Sequence, residues 1–521
     1  MAKASCSGCI NSGGQQFRRR CSVINAHRIL GRCGKLRQSY RIAFLIALAL
    51  CAVGTGLGAD PMVYEVGPGR PFEAVGEVPW EALEPGDTVL IHARPEPYRE
   101  KWVICRAGTE DRPITVRGVP GPDGQLPVID GRDAVTRAEL NYWNEPRSIV
   151  KIGGANNPPD TLPEHIVIEG LEVRSARPGF MFTGRAGEPE TYLSNAAPIF
   201  VEKGRHITIR NCVLHDSGNG LFISSGASEV LVEGCYIYDN GIEGSIYEHN
   251  SYTQASGLTF QFNRYGRLRE GCRGNNLKDR SSGLVVRYNW IEGGNRQLDL
   301  VDAGAESPQQ EDPRYRETFV YGNILVDPGE AGNNQMVHYG GDSADVDRYR
   351  KGTLFFFNNT ALSLRPGNTV LMRLSTGEES AVVRNNIVHV TAGGRFLALL
   401  TDAGRMMLGH NWLTEGWRAS HGQMSGTIED EGTNLAGDDP GFVSIDPVPL
   451  SAPDGGNGPR GEIIERDLRL LAETRAVGAA GPLPEAALPA HAVTHEYVPH
   501  CGSRERTDDP AGMGALGPAD P

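Results

Sequence analysis

The chain has 521 residues, of which 39% are hydrophobic, 66 are glycine and 34 are proline. That composition favours short elements joined by turns over long helices. With 51 Lys and Arg against 64 Asp and Glu, for a net charge of −13, it does not suit nonspecific nucleic-acid binding.

The N-terminus reads as an address. Residues 1–41 hold nine basic residues and no acid, and the apolar run "IAFLIALALCAV" follows from Ile42 to Val53. A basic stretch, an apolar core and small residues match a secretory signal. The core is shorter than the ~20 residues of a transmembrane helix. Residues 1–59 are therefore expected to be a signal peptide or an N-terminal anchor, and the protein to be secreted or periplasmic. Any membrane association would run through that segment uncleaved. Without it the charge becomes 42 basic against 64 acidic residues, net −22. The cysteines fall to Cys105, Cys212, Cys235, Cys272 and Cys501, an odd and sparse set that makes no disulfide framework.

Leu83 to Gly131 alternates strand-like runs with Pro/Gly turns, so residues 60–160 are expected to be opening rungs and a cap. A recurring phrase then organises residues 161–415: apolar-x-apolar, Asn or Gly, and another apolar run. It occurs as "HIVIEGLEV", "HITIRNCVL", "LVVRYNWIE", "TFVYGNILV" and "AVVRNNIVH", among others. The marker residues Asn211, Gly234, Asn263, Asn289, Asn323, Asn359, Asn386 and Asn411 are separated by 23, 29, 26, 34, 36, 27 and 25 residues. Such periods indicate stacked repeats, each unable to bury its apolar face alone. The expected fold is all-β, a right-handed parallel β-helix with capped ends, most simply a monomer. The asparagines are expected at tight corners, tolerating the left-handed conformation and forming an internal ladder. Residues 416–521, rich in turns, are expected to be an irregular C-terminal cover.

Specific phrases carry a resemblance. "PGDTVLI" with "PITVRG" resembles the opening of secreted β-helix polysaccharide lyases of the alginate lyase and chondroitinase B type. "HITIRNCVLHDSGNGLFI" resembles the rung repeat of the wider superfamily that includes pectate lyases. The resemblance spans about residues 64–520 and implies a polysaccharide partner. Related lyases use a Lys and an Arg near mid-helix, and Lys278 with Arg280 or Arg287 resembles that pair.

The second strand of each rung can be laid in register from "LFISSG" through "SIYEHNSYT", "NNLKDRS", "RQLDLVDAG", "NNQMVHYGG" and "TVLMRLSTG". The central rungs concentrate charge, and rungs ~4.8 Å apart let such groups converge on one sugar. For an eliminating lyase, a base must take the proton α to a uronate carboxylate while a cation neutralises that carboxylate. Lys278 is one candidate base, and His249 with Tyr252 an alternative base and acid. Arg280 is the expected neutralising group. Arg264, Arg287, Arg296, His338 and Asn250 are expected to bind substrate, with Arg264, Arg267 and Arg269 forming a basic wall. Asp299 and Asp302, with Glu248, offer the hard oxygens that a Ca²⁺ cofactor takes. Two other readings stay open: a glycoside hydrolase using Glu248, Asp299 and Asp302, and a non-catalytic carbohydrate-binding surface protein.

Overall fold

The computed structural model describes residues 60–329, 332–449, 464–506 and 512–519. The expected export segment lies outside them. Among the described residues no helix is long and apolar enough to cross a membrane.

Short strands wind into a column with three faces, each a parallel ladder. The first face starts with Val63–Val66, Thr88–His92 and Ile114–Val119, and ends with Arg405–Gly409 and Thr427–Asp430. The second runs from Glu100–Ile104 and Ser148–Ile152 to Thr369–Leu374 and Leu397–Asp402. The third is an eleven-stranded sheet from Val128–Asp130 to Leu435–Gly437. Parallel pairing thus runs through the opening residues and continues past residue 415.

Strand alternation sends every second side chain inward. One inward column on the first face reads Val89, Val116, Ile168, Ile209, Val232, Phe260, Val286, Val320, Phe356, Val383 and Leu408. All are fully buried. Each contributes on the order of 1.5–3 kcal/mol of hydrophobic stabilisation.

An amide ladder climbs one inner corner. Asn263 Nδ2 donates to Asn289 Oδ1 (2.9 Å), Asn289 to Asn323 (2.9 Å), Asn323 to Asn359 (3.0 Å), Asn359 to Asn386 (3.1 Å), Asn386 to Asn411 (2.9 Å) and Asn411 to Asn434 (3.0 Å). These amides are not the left-handed residues, contrary to expectation. The positive φ falls one position earlier, at Phe262, Tyr288, Gly322, Asn358, Asn385 and His410. In lower rungs the markers Gly170, Asn211 and Gly234 are themselves left-handed. There Cys212 and Cys235 follow the corner. Their thiols point at the carbonyls of Ile168 and Ile209, as Asn263 Nδ2 does at Val232. Asn323→Ala would remove the side-chain acceptor of the Asn289 N–H and Nδ2 groups and the amide donor to the Val286 and Tyr321 carbonyls. The expected cost is about 1–3 kcal/mol, seen as a lower thermal-unfolding midpoint. An unchanged midpoint would make the ladder incidental.

The C-terminal cover begins over the upper end of the second face, where the Leu399 and Leu400 N–H groups donate to the Arg418 and Ala419 carbonyls. Its later described residues lie along the third face, whose outward side chains are apolar. Trp290, Ile324, Leu362, Ile387 and Trp412 share one cluster with Phe442, Leu468, Leu470, Tyr497 and Met513. Two antiparallel hairpins build it, Phe442–Pro449 with Ile464–Leu470 and His495–Val498 with Gly502–Glu505. The last first-face strand, Thr427–Asp430, pairs on one side with Arg405–Gly409 and is largely exposed.

Candidate active site

The second face is where charge collects. Its register places Phe222, Tyr252, Lys278, Asp299, His338 and Arg373 directly above one another. These side chains point outward, because Leu277, Leu298, Val337 and Met372, one position earlier, are core residues. The run Lys278–Asp279–Arg280 therefore splits. Asp279 points inward to fully buried Arg350 (3.2 Å), while Lys278 and Arg280 face the groove.

Lys278 Nζ donates to Asp299 Oδ2 (2.6 Å) and to Asp342 Oδ2. Arg280 Nη2 donates to Asp342 Oδ1 (2.8 Å), its Nε donates to the Tyr252 oxygen (3.1 Å), and its Nη1 donates to the Asp302 carbonyl. One carboxylate, Asp342, thus bridges two cations, and one guanidinium joins that carboxylate to a phenol. Burial works against the Arg280 charge, yet Tyr252 and Asp342 hold its pKa above the usual value. Burial would raise Asp299, but Lys278, the hydrogen bond from His338 and Arg296 hold it well below the ordinary carboxylate range. Asp342 is likewise lowered, because Lys278 and Arg280 outweigh its partial burial.

Below this cluster the column is aromatic. Phe222 meets Tyr252 edge-on at 5.4 Å and Phe200 at 5.1 Å, and Arg147 lies 4.5 Å from the Phe222 ring centre. Above it, Arg296 donates to Gln335 (2.7 Å) and approaches Asp299 (3.5 Å). Arg373 pairs with Asp402 (2.6 Å). Around the neighbouring corner a cleft of about 800 Å³ is lined by Arg267, Arg269, Arg273 and Asn295. It holds Arg267 and Arg269 but not Arg264, the third arginine expected in that wall.

Several expected site residues sit elsewhere. Arg264 is buried on the third face beneath the cover, bonded to Glu292 (3.0 Å) and stacked on Trp290. Arg287 is on the first face, donating to Gln261 and Tyr321. Asn250 is fully buried in a second inner amide row, between Asn240 and Asn276. His338 is on the column, but both ring nitrogens are engaged, by Asp299 (2.8 Å) and Ser375 Oγ (2.8 Å), and its ring is buried. His249 lies T-shaped to Tyr252 and is 1% exposed. Its Nδ1 accepts from the Asn275 N–H (2.8 Å), which puts the ring proton on Nε2 and leaves no lone pair for a base. Burial first, then Lys278, pushes its pKa down to about 3.

The donor set does not fit Ca²⁺. Asp299 already accepts from Lys278, Asn275 and His338. Asp302 Oδ1 accepts the N–H groups of Asp342 (2.7 Å) and Ser343 (3.2 Å), so it pins a turn. Glu248 is buried, and its Oε2 has no hydrogen-bond partner among the described residues. Among the described residues the group whose ligand atoms approach within metal-sharing distance is Glu164, His165 and His206, on the first face.

Asp342 and Arg147 were not foreseen. The signal for Asp342 was the "YGGDS" turn, whose paired glycines end a rung beside the charged column.

Residues 191–347 match the family model described as a right handed beta helix region. The fold is a right-handed parallel β-helix. No curated protein matches the sequence. Among solved structures the β-helix is similar to pectate lyase Pel9A, at 14% identity, covering 89% of this chain and 98% of that one, with a TM-score of 0.47. An alginate lyase from Paenibacillus sp. str. FPU-7 gives 12%, 64%, 94% and 0.40 for the same quantities. A GH136 lacto-N-biosidase from Eubacterium ramulus gives 12%, 72%, 68% and 0.41. Likeness at that level says nothing of the reaction, so the β-helix has to be read through its side chains.

Proposed function

We propose that this β-helix cleaves a uronate-containing polysaccharide by β-elimination in its second-face groove. The observation that carries the reading is the carboxylate seat made by Lys278 and Arg280, with Tyr252 on the same guanidinium. As the α-proton leaves a uronate, negative charge builds on its carboxylate. Two cations there stabilise the transition state more than the ground state.

Lys278 suits this neutralising role better than that of base, because its ammonium already donates to two carboxylates. Tyr252 is the proton-transfer group. Beside Arg280 Nε the charge of a phenolate is compensated. The phenolate takes the proton from C5, the C5–H electrons form the C4=C5 double bond, the C4–O4 bond breaks, and the proton passes to O4. The half-buried ring of Phe222 offers an apolar surface for a neighbouring sugar ring. The N-terminal basic and apolar segment supports export, where a polymer would be met.

A glycoside hydrolase is less well supported. Its general acid must keep a proton at neutral pH, whereas both Asp299 and Asp342 are shifted the other way. The three readings separate in one panel of polygalacturonate, alginate, glycosaminoglycans and neutral glucans. The expected result is a new ultraviolet absorbance from a conjugated double bond, with an acidic polymer only. Reducing ends without that absorbance would replace the lyase by a hydrolase. Binding without product would leave a binding protein.

A further inference from the structure

The seat for the substrate carboxylate is already filled from within the chain. We infer that Asp342 is an internal occupant of that seat and, by competing for it, a specificity-determining residue that admits ligands bringing a carboxylate of their own. This rests on the lyase reading of the groove.

Three observations point this way. First, the Asp342 carboxylate spans the seat, with Oδ2 on Lys278 and Oδ1 on Arg280 Nη2 at 2.8 Å. Second, it is the outermost member of the cluster. Its side chain is 33% exposed, against 8% for Lys278 and 15% for Arg280. A ligand approaching from solvent meets it first. Third, the backbone that carries it is tied down without help from its carboxylate. Asp302 Oδ1 holds the N–H groups of Asp342 and Ser343, and Ser375 Oγ accepts from the Gly341 N–H at 3.0 Å. Tyr349 Oη donates to the Ser343 carbonyl at 2.9 Å. The turn can therefore stay in place while the side chain alone rotates.

The physical consequence is an exchange. A uronate replaces one carboxylate on the two cations with another, so the partly buried charges remain compensated throughout. A neutral sugar has nothing to put there. It therefore leaves Asp342 seated on Lys278 and Arg280 and gains nothing at this position, so only a carboxylate-bearing ligand is in competition with Asp342. Asp299 is not exchanged in this way, because it is buried and held by four partners.

The test is titration calorimetry with uronate trisaccharides and neutral trisaccharides of matched linkage. The protein carries Tyr252→Phe, so that no turnover interferes, with and without Asp342→Asn. Asp342→Ala is the second variant, and thermal unfolding checks that each folds. Removing the internal competitor should tighten uronate binding roughly three- to tenfold and leave neutral-sugar binding unchanged. Uronate binding that stays the same or weakens would overturn the inference while leaving the lyase reading intact. No uronate binding by any variant would overturn both. Equal tightening for neutral sugars would overturn the competitor role and make Asp342 a steric lid.

Discussion

Replacing Tyr252 by phenylalanine should lower turnover on the responsive uronate polymer by roughly 10²- to 10⁴-fold, the usual contribution of a positioned proton-transfer group, while oligosaccharide affinity changes little. The substitution removes one oxygen and keeps the ring, so the edge contact with Phe222 and the place in the rung persist. What is lost is the acceptor for Arg280 Nε. Arg280 retains Asp342 and the Asp302 carbonyl, so the carboxylate seat survives. Measuring kcat from product absorbance, with affinity from calorimetry, separates the two effects. Turnover within about tenfold of the parent, below the range expected for such a group, would remove Tyr252 from the chemistry and return Lys278 to consideration. A parallel fall in affinity would instead indicate a binding role.

The second large effect concerns stability. Asp279→Ala should cost about 3–5 kcal/mol, because it leaves a buried guanidinium without its counter-charge. Arg350 and Asp279 are both fully buried. Asp279 accepts from Thr253 Oγ1 (2.7 Å), Ser281 Oγ (2.7 Å) and the Ser281 N–H (2.7 Å). Arg350 also donates to the carbonyls of Val301 (3.0 Å) and Ser281 (2.8 Å), so the pair ties three rungs to one loop. Urea unfolding measures the loss, and a change under about 1 kcal/mol, the worth of an exposed ion pair, would mean that the interior compensates in some other way. Since Asp279 lies between Lys278 and Arg280, the same buried network fixes the strand from which both groove cations project.

The column itself was legible in the sequence. Aligning the rung phrases gathers Glu248, His249, Asn250, Tyr252, Lys278, Asp279, Arg280, Asp299, Asp302, His338 and Arg373 on the central rungs, and the backbone register narrows the stack to Tyr252, Lys278, Asp299, His338 and Arg373. Period-two alternation and a repeat of about one rung suffice for that. Two things were not legible. One is which face a basic residue serves. Arg264, Arg280 and Arg287 lie close in sequence, yet they belong to the third, second and first faces, separated by corners of variable length. The other is the contribution of loops. Asp342 is 64 residues from Lys278 and reaches it only because a Gly–Gly turn folds back over the rung. The lateral path of the cover had a visible signal in "NWIE", "NILV" and "NWLT", apolar on both sides of the strand, as expected when both faces are buried.

The uppermost rung has a consequence for how copies of this chain meet. A column of parallel strands ends in unpaired backbone groups, which invite another molecule to add its own strand and extend the stack into a filament. Here that terminus, Thr427–Asp430, bears Glu429 and Asp430, with Glu431 just beyond, and the opposite terminus, Val63–Val66, bears Glu65. These carboxylates are paired, Glu429 with Arg405, Glu431 with Arg384 and Glu65 with Arg70, so each terminus presents hydrated ion pairs that an added strand would have to desolvate, and charge of this kind blunts both ends against fibre growth.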